Sequence, residues 1–141
     1  MLGARFRVIV YNNSGTSSNS TNATTTVRIL RWYINTSGVP VWEGSGTSPT
    51  TIFSNVGAIT TGSYDTSDAT AQNNSGAANP FLGAEIECTY AATGSPTGNV
   101  VFFLQRSVDG ATTWPDNGQG EPIAVLYPTS AATYRTVVEY D

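Results

Sequence analysis

Two glutamates on one strand come nearest, by type and spacing, to an acid–base pair. Glu85 and Glu87 alternate with apolar residues in the stretch AEIECTYA. They therefore share one strand face, with their Cα atoms roughly 7 Å apart. A glycosidase needs two carboxyl groups about 5 to 9 Å apart at a cleft. The alternative, which we favour, is a solvent-facing strand surface that carries two solubilising charges.

Most other catalytic chemistry is excluded by residue types that the chain lacks. The sequence contains no histidine and no lysine. Ser-His-Asp and Cys-His mechanisms, His-ligated metals, Schiff bases and a phosphate-loop lysine are therefore absent. The one cysteine, Cys88, excludes an internal disulfide and a Cys-rich zinc site, and its apolar neighbours predict a buried thiol. We expect no enzyme, no cofactor and no metal.

Acidic residues in the connection after residue 106 leave one metal alternative open. Asp109, Asp116 and Glu121, with Asn117 and backbone carbonyls, could together offer the several oxygen ligands that calcium requires. Their spacing matches no EF-hand loop, and we rank this structural calcium site well below its absence.

Residues 107–114 (SVDGATTW) form the sharpest local motif. The segment resembles the Asp-box, a hairpin signature of sialidase-like propellers and of unrelated β-proteins, with Ser107, Asp109, Thr113 and Trp114 at the motif positions. Gly110 stands one place earlier than the glycine of the motif. The resemblance implies a folded turn in which the Asp carboxylate accepts bonds from turn amides and the Trp packs back. It implies no sialidase activity, because the motif occurs once.

The composition of the 141 residues narrows the class of partner. Only 11% of the residues are charged and the net charge is −4. Nucleic acids and anionic membrane surfaces attract clusters of Lys and Arg, so neither is expected as a partner. No apolar run reaches membrane-span length, and residues 1–10 do not resemble a secretory leader. We expect a chain made in a cytoplasm.

The pattern of strands and turns predicts an all-β fold. About eight short apolar strands are separated by Gly-, Pro-, Asn- and Ser-rich turns, without a helical period. This pattern is typical of a single antiparallel β-sandwich domain over residues 1–141, for which we favour a jelly-roll-like arrangement. Long polar loops are expected near residues 13–23 and 62–80. The stretch 98–128 supplies the central strand, 99–106, apolar on both faces, and its neighbour 122–127.

Alternation along the strands predicts which side chains face the core. Three inward sets are expected, each of alternate residues on one strand: Phe6, Val8 and Val10; Leu30, Trp32 and Ile34; Ala84, Ile86, Cys88 and Tyr90. Arg5, Arg7 and Tyr11 should point outward. Pro40 cannot donate to a ladder, which places its strand at a sheet edge and makes Trp42 a candidate surface contact. The turn TGSPTG at 93–98 predicts a hairpin into the central strand.

The whole chain resembles small β-sandwich proteins of tailed bacteriophage particles in its low charge, polar loops and the stretch VVFFLQRSVDGATTWPDNGQGEPIAVL. The resemblance implies a capsid decoration (cement) protein on the virion surface, made in the host cytoplasm. Such a protein binds the major capsid protein as a homo-oligomer, with a trimer favoured over a dimer. The alternatives are a carbohydrate- or receptor-binding module of a phage fibre and, last, a glycoside hydrolase. Candidate interaction residues are Arg5, Arg7, Trp42 and Tyr64.

Overall fold

A computed structural model of the chain describes residues 5–17, 25–74, 81–107, 113–116 and 120–141. It contains two antiparallel sheets of five strands each. The all-β antiparallel sandwich expected from the turn spacing is confirmed, with ten strands rather than about eight. In the described ranges the one helical segment is a 3-10 turn at Glu43–Gly46, and no helix is long and apolar enough to cross a membrane.

The strands alternate irregularly between the two sheets. In chain order they are β1 (Arg5–Asn13), β2 (Thr25–Ile34), β3 (Pro40–Trp42), β4 (Thr50–Asn55), β5 (Ser63–Asp65), β6 (Gln72–Asn73), β7 (Gly83–Ala91), β8 (Asn99–Arg106), β9 (Glu121–Leu126) and β10 (Thr133–Tyr140). The first sheet has the order β5-β1-β8-β9, with β6 also paired to β1. The second has the order β10-β7-β2-β3, with β4 also paired to β2.

Apolar side chains from both sheets meet in one core. The inward residues of β1, β7 and β8 are the expected ones and are fully buried: Phe6, Val8, Val10, Ala84, Ile86, Cys88, Tyr90, Val100, Phe102 and Leu104. Burial raises the pKa of the Cys88 thiol to about 12, with a smaller contribution from the Glu87 charge. The predicted burial of the Cys88 thiol is confirmed. β8 is a central strand, as predicted, but its outward residues Val101 and Phe103 are only partly buried.

The predicted facing of β2 is wrong. Val27 and Ile29 point into the core, whereas Leu30, Trp32 and Ile34 are only partly buried. Apolar residues occur on both faces of this strand, and in the fold its odd-numbered residues face the core. Arg31 therefore points inward. Its guanidinium donates to the Glu43 carboxylate (Nε to Oε2 2.8 Å) and lies 4.4 Å from the centroid of the Phe81 ring. A paired arginine near the strand end is compatible with the core side.

The predicted hairpin between β7 and β8 is also wrong. β7 pairs with β2 and β10, whereas β8 pairs with β1 and β9. Residues 93–98 therefore cross from the second sheet to the first. Gly and Pro are compatible both with a hairpin within one sheet and with a crossing between two sheets. Six residues are long enough to span the roughly 10 Å between packed sheets. The amides of Thr97 and Gly98 both donate to the Ser14 carbonyl and fix the crossing against the end of β1.

The position of the predicted edge strand and of the polar loops can be compared with the structure in the same way. β3, which begins at Pro40, lies at an edge, as predicted, and β2 is its single partner among the described strands. The expected polar loops at 13–23 and 62–80 fall partly outside the described residues. Within them the structure places a bend at residues 14–16 and the short strands β5 and β6.

Candidate functional site

The outer face of the first sheet brings together aromatic residues from three strands. Tyr11 of β1 lies directly opposite Tyr64 of β5, and their rings stack with centroids 4.3 Å apart at an interplanar angle of 27°. The Tyr64 ring also lies 6.3 Å from Phe103 of β8, tilted by 44°. All three side chains are partly exposed. We call these three residues the aromatic cluster.

An arginine and a tryptophan extend this face beside the aromatic cluster. Arg7 points outward from β1, and its guanidinium carbon lies 4.6 Å from the centroid of the Trp114 ring. Arg7 Nε donates to Gln105 Oε1 (2.9 Å), and Gln105 Nε2 donates to the carbonyls of Pro115 and Asp116 (3.2 and 3.3 Å). Burial under this loop lowers the pKa of Arg7. The loop at 113–116 is therefore fastened across the sheet through one cation–π contact and one buried amide.

Most of the residues selected from the sequence lie on this one face. Arg5, Arg7 and Tyr64 stand on it, and Trp114 covers part of it. Trp42 does not, because it pairs with Trp32 at an edge of the second sheet, where it is partly buried. The structure thus divides the expected interaction residues between opposite sides of the sandwich.

The Asp-box-like segment is described only at its ends. Ser107 is buried and its amide donates to the Arg5 carbonyl (3.0 Å), which continues the pairing of β1 with β8. Thr113 is exposed, and Trp114 is partly buried against Arg7. Asp109, the motif carboxylate, lies outside the described residues. The packing of Trp114 agrees with a tryptophan that folds back onto the sheet.

Two members of the aromatic cluster were not singled out from the sequence. Strand alternation predicts an outward Tyr11, and the apolar pattern of residues 99–106 predicts that Phe103 is buried by neighbouring segments. The stacking of Tyr11 on Tyr64 depends on the register of β1 against β5, two strands separated by about fifty residues. Alternation was a sufficient signal for the outward position of Tyr11, but no local signal identifies its partner.

The carboxylate pair Glu85 and Glu87 lines a shallow depression of about 240 Å³ on the outer face of the second sheet. Glu87 is held by two arginines, with Arg28 Nη1 at 3.4 Å from Oε1 and Arg135 Nε at 3.6 Å from Oε2. Glu85 is exposed. Glu87 is therefore part of a surface charge network with Arg28 and Arg135.

A second depression, of about 280 Å³, adjoins Tyr64 and is lined by residues of the segment 55–67. Asp65 is buried at its wall and accepts hydrogen bonds from the amide and the hydroxyl of Ser67, both at 3.1 Å. Burial, and then the neighbouring Asp65, raise the pKa of Asp68. Asp65 fixes a turn here, as Asp commonly does. Among the described residues no group of three or more potential metal ligands occurs.

Comparison of the chain with protein-family models, with curated proteins and with solved structures found no match.

Proposed function

We propose that this chain is a non-catalytic structural protein of a bacteriophage particle, which binds the major capsid protein as a homo-oligomer and stabilises the shell. The observation that carries the proposal is the outer face of the first sheet, where the aromatic cluster lies beside Arg7 and Trp114. The virion context comes from the resemblance of the chain to phage β-sandwich proteins. The face supplies a surface for attachment.

The composition of this face suits protein recognition. Aromatic residues and arginine are enriched at protein interfaces, and they dominate the energy of binding when a partner excludes water from them. Paired strands carry the three residues of the aromatic cluster. Docking of a partner would therefore cost little conformational entropy at these side chains and their backbone. Val125, which is 40% exposed on β9, adds an apolar neighbour on the same sheet.

Replacement of Tyr64 by Ala tests whether this face is used. Removal of the ring leaves Tyr11 and Phe103 without their shared neighbour, and we expect it to weaken attachment to capsid shells by about tenfold or more. The readout is co-sedimentation of the purified protein with shells that lack it. Val39→Ser is the matched control, because Val39 is 52% exposed in the turn between β2 and β3. Equal attachment of both variants and the unmodified protein would remove this face from the proposal.

A second candidate is a carbohydrate- or receptor-binding module of a phage fibre. The same aromatic cluster favours it, because the apolar face of a sugar packs on an aromatic ring. The Tyr11–Tyr64 stack occupies one face of each ring, which leaves less ring surface for a sugar. Glycan-array binding that disappears in Tyr64→Ala, together with absence of shell binding, would select this candidate over capsid decoration.

A further inference from the structure

The last strand, β10, is an edge strand of the second sheet, and β9 of the first sheet lies near it without pairing to it. β10 pairs with β7 over eight residues in unbroken register, and the described part of the chain provides it with no second ladder. Just before the strand, the Ala92 amide donates to the Ala132 carbonyl (2.9 Å). Because hydrogen-bonded pairs alternate along antiparallel strands, the even-numbered residues of β10 face β7. The main-chain groups of Thr133, Arg135, Val137 and Glu139 therefore point to the open edge.

The other edge strands of the described chain are short or interrupted. β3 has three residues and begins with Pro40, and β5 and β6 have three and two residues. β4 and β9 both carry a register shift, and β9 also contains Pro122. These are the devices that keep sheet edges from pairing with other chains. β10 has neither a proline nor a register shift, so it is the edge that can accept another strand.

The outward side chains of β10 are complementary to a reversed copy of themselves. Arg135 and Glu139 lie symmetrically about Val137, two residues away on either side. Val137 is 58% exposed, and the Arg135 side chain remains 62% exposed beside its ion pair with Glu87 (Nε to Oε2 3.6 Å). Within one chain Glu139 lies directly opposite Glu85, a like-charge pair that destabilises a sheet. An arginine from a second strand beside Glu139 would compensate this charge.

We propose that two copies of this chain pair through β10, antiparallel across a two-fold axis at Val137. Each Val137 then lies opposite the Val137 of the second copy, and each Arg135 lies opposite the Glu139 of the second copy. The odd-numbered residues 135, 137 and 139 of both copies exchange about six backbone hydrogen bonds. The two second sheets become one continuous sheet of ten strands. Because the operator is two-fold, this pairing builds a dimer and not the trimer expected from the resemblance.

The proposal stands on the edge strand alone and is independent of the aromatic face and of the capsid. A dimer held by one strand edge buries little surface, so its dissociation constant should lie in the micromolar range or weaker. The experiment is sedimentation velocity of the full chain over micromolar to millimolar concentrations. We expect the mass to rise with concentration from 14.9 kDa to twice that value.

Charge reversal tests the register. Arg135→Glu and Glu139→Arg each turn both cross-strand ion pairs into like-charge pairs, and each variant alone should dimerise at least about tenfold more weakly. An equimolar mixture of the two variants restores both attractive pairs, so the mixture should recover dimers. Circular dichroism verifies that each variant is folded. A concentration-independent monomer, a trimer, or unchanged dimerisation of the single variants would each overturn the proposal.

A proline variant tests the edge without the charges. The Val137 amide points away from β7, so Val137→Pro removes an edge donor while the β7 ladder keeps its hydrogen bonds. We expect a folded monomer. A Val137→Thr control keeps the amide and the β-branched shape and should still dimerise. A folded Val137→Pro variant that dimerises as the unmodified chain does would refute the use of this edge.

Discussion

The phenolic oxygen of Tyr134 is hydrogen-bonded by the turn that precedes β10. Its ring is partly buried at the start of β10, and its phenolic oxygen accepts hydrogen bonds from the amides of Thr129 and Ser130 (2.9 and 3.0 Å). Hydrogen bonds from Ser130 and then Thr129 stabilise the phenolate and lower the pKa of Tyr134 to about 8. The turn before β10 therefore supplies hydrogen-bond donors that stabilise the ionised form of the Tyr134 hydroxyl.

We predict that one of the seven tyrosines ionises near pH 8. The measurement is the ultraviolet absorbance of phenolate as a function of pH, in the unmodified chain and in Tyr134→Phe. The early titration step should vanish in the variant. A superposition of the two curves between pH 7 and about 9 would contradict the hydrogen-bonded phenolate.

The same shift has a consequence for stability. In the unfolded chain this tyrosine titrates near pH 10, so the folded state holds the phenolic proton less tightly than the unfolded state does. The unmodified chain should gain stability relative to Tyr134→Phe as the pH rises from about 8 to about 10, and lose that gain as the pH falls through 8. The sequence carries no sign of this, because a tyrosine followed by alternating residues is ordinary strand sequence. The amides that donate to the Tyr134 oxygen belong to the turn.

At the level of elements, one buried asparagine connects three segments. Asn12, at the end of β1, is fully buried, and its Nδ2 donates to the carbonyls of Thr16 and Ile59 (2.8 and 2.7 Å). Its Oδ1 accepts from the Ser14 amide and hydroxyl (3.0 and 2.7 Å). All the hydrogen bonds of this side chain are made inside the protein. It fixes the bend after β1 and the segment before β5.

Replacement of Asn12 by Ala should lower the free energy of unfolding by about 2 to 3 kcal/mol, because the buried Ile59 carbonyl and the Ser14 amide each lose a hydrogen bond to the Asn12 side chain. Chemical denaturation, fitted as a two-state transition, measures this value. The neighbouring Asn13→Ala is the control, since the Asn13 side chain is exposed, and it should cost less than about 0.5 kcal/mol. Similar losses in both variants would show that the buried network contributes nothing specific.

The elements also show where sequence patterns suffice. β7 has one apolar face, and β1 has a mainly polar second face on which Ile9 is the apolar exception, so alternation predicts the inward residues of both strands correctly. β2 has apolar residues on both faces, and its observed facing places Arg31 against Glu43 and Phe81, which pair with and cover its guanidinium. The route from β7 to β8 was decided by which strands they pair with. Both outcomes involve contacts between distant segments, which a local pattern does not contain.

Across the whole molecule, the sandwich separates two kinds of outer surface. The first sheet carries the aromatic cluster with Arg7 and Trp114, and the second carries Glu85, Glu87 and the open edge of β10. Outward positions on single strands could be assigned from alternation. The grouping of Arg7, Tyr64 and Trp114 could not, because it requires strand order and the path of the loop over the sheet. On the function proposed above, the aromatic face would contact the capsid and the β10 edge would contact a second copy.

The proposed role as a structural component of a virus shell is tested by the number of copies per purified particle, measured by quantitative mass spectrometry against the major capsid protein. We expect hundreds of copies, in a fixed ratio to the capsid protein. A dozen copies or fewer would move the chain to a tail or fibre, and its absence from particles would contradict the virion assignment.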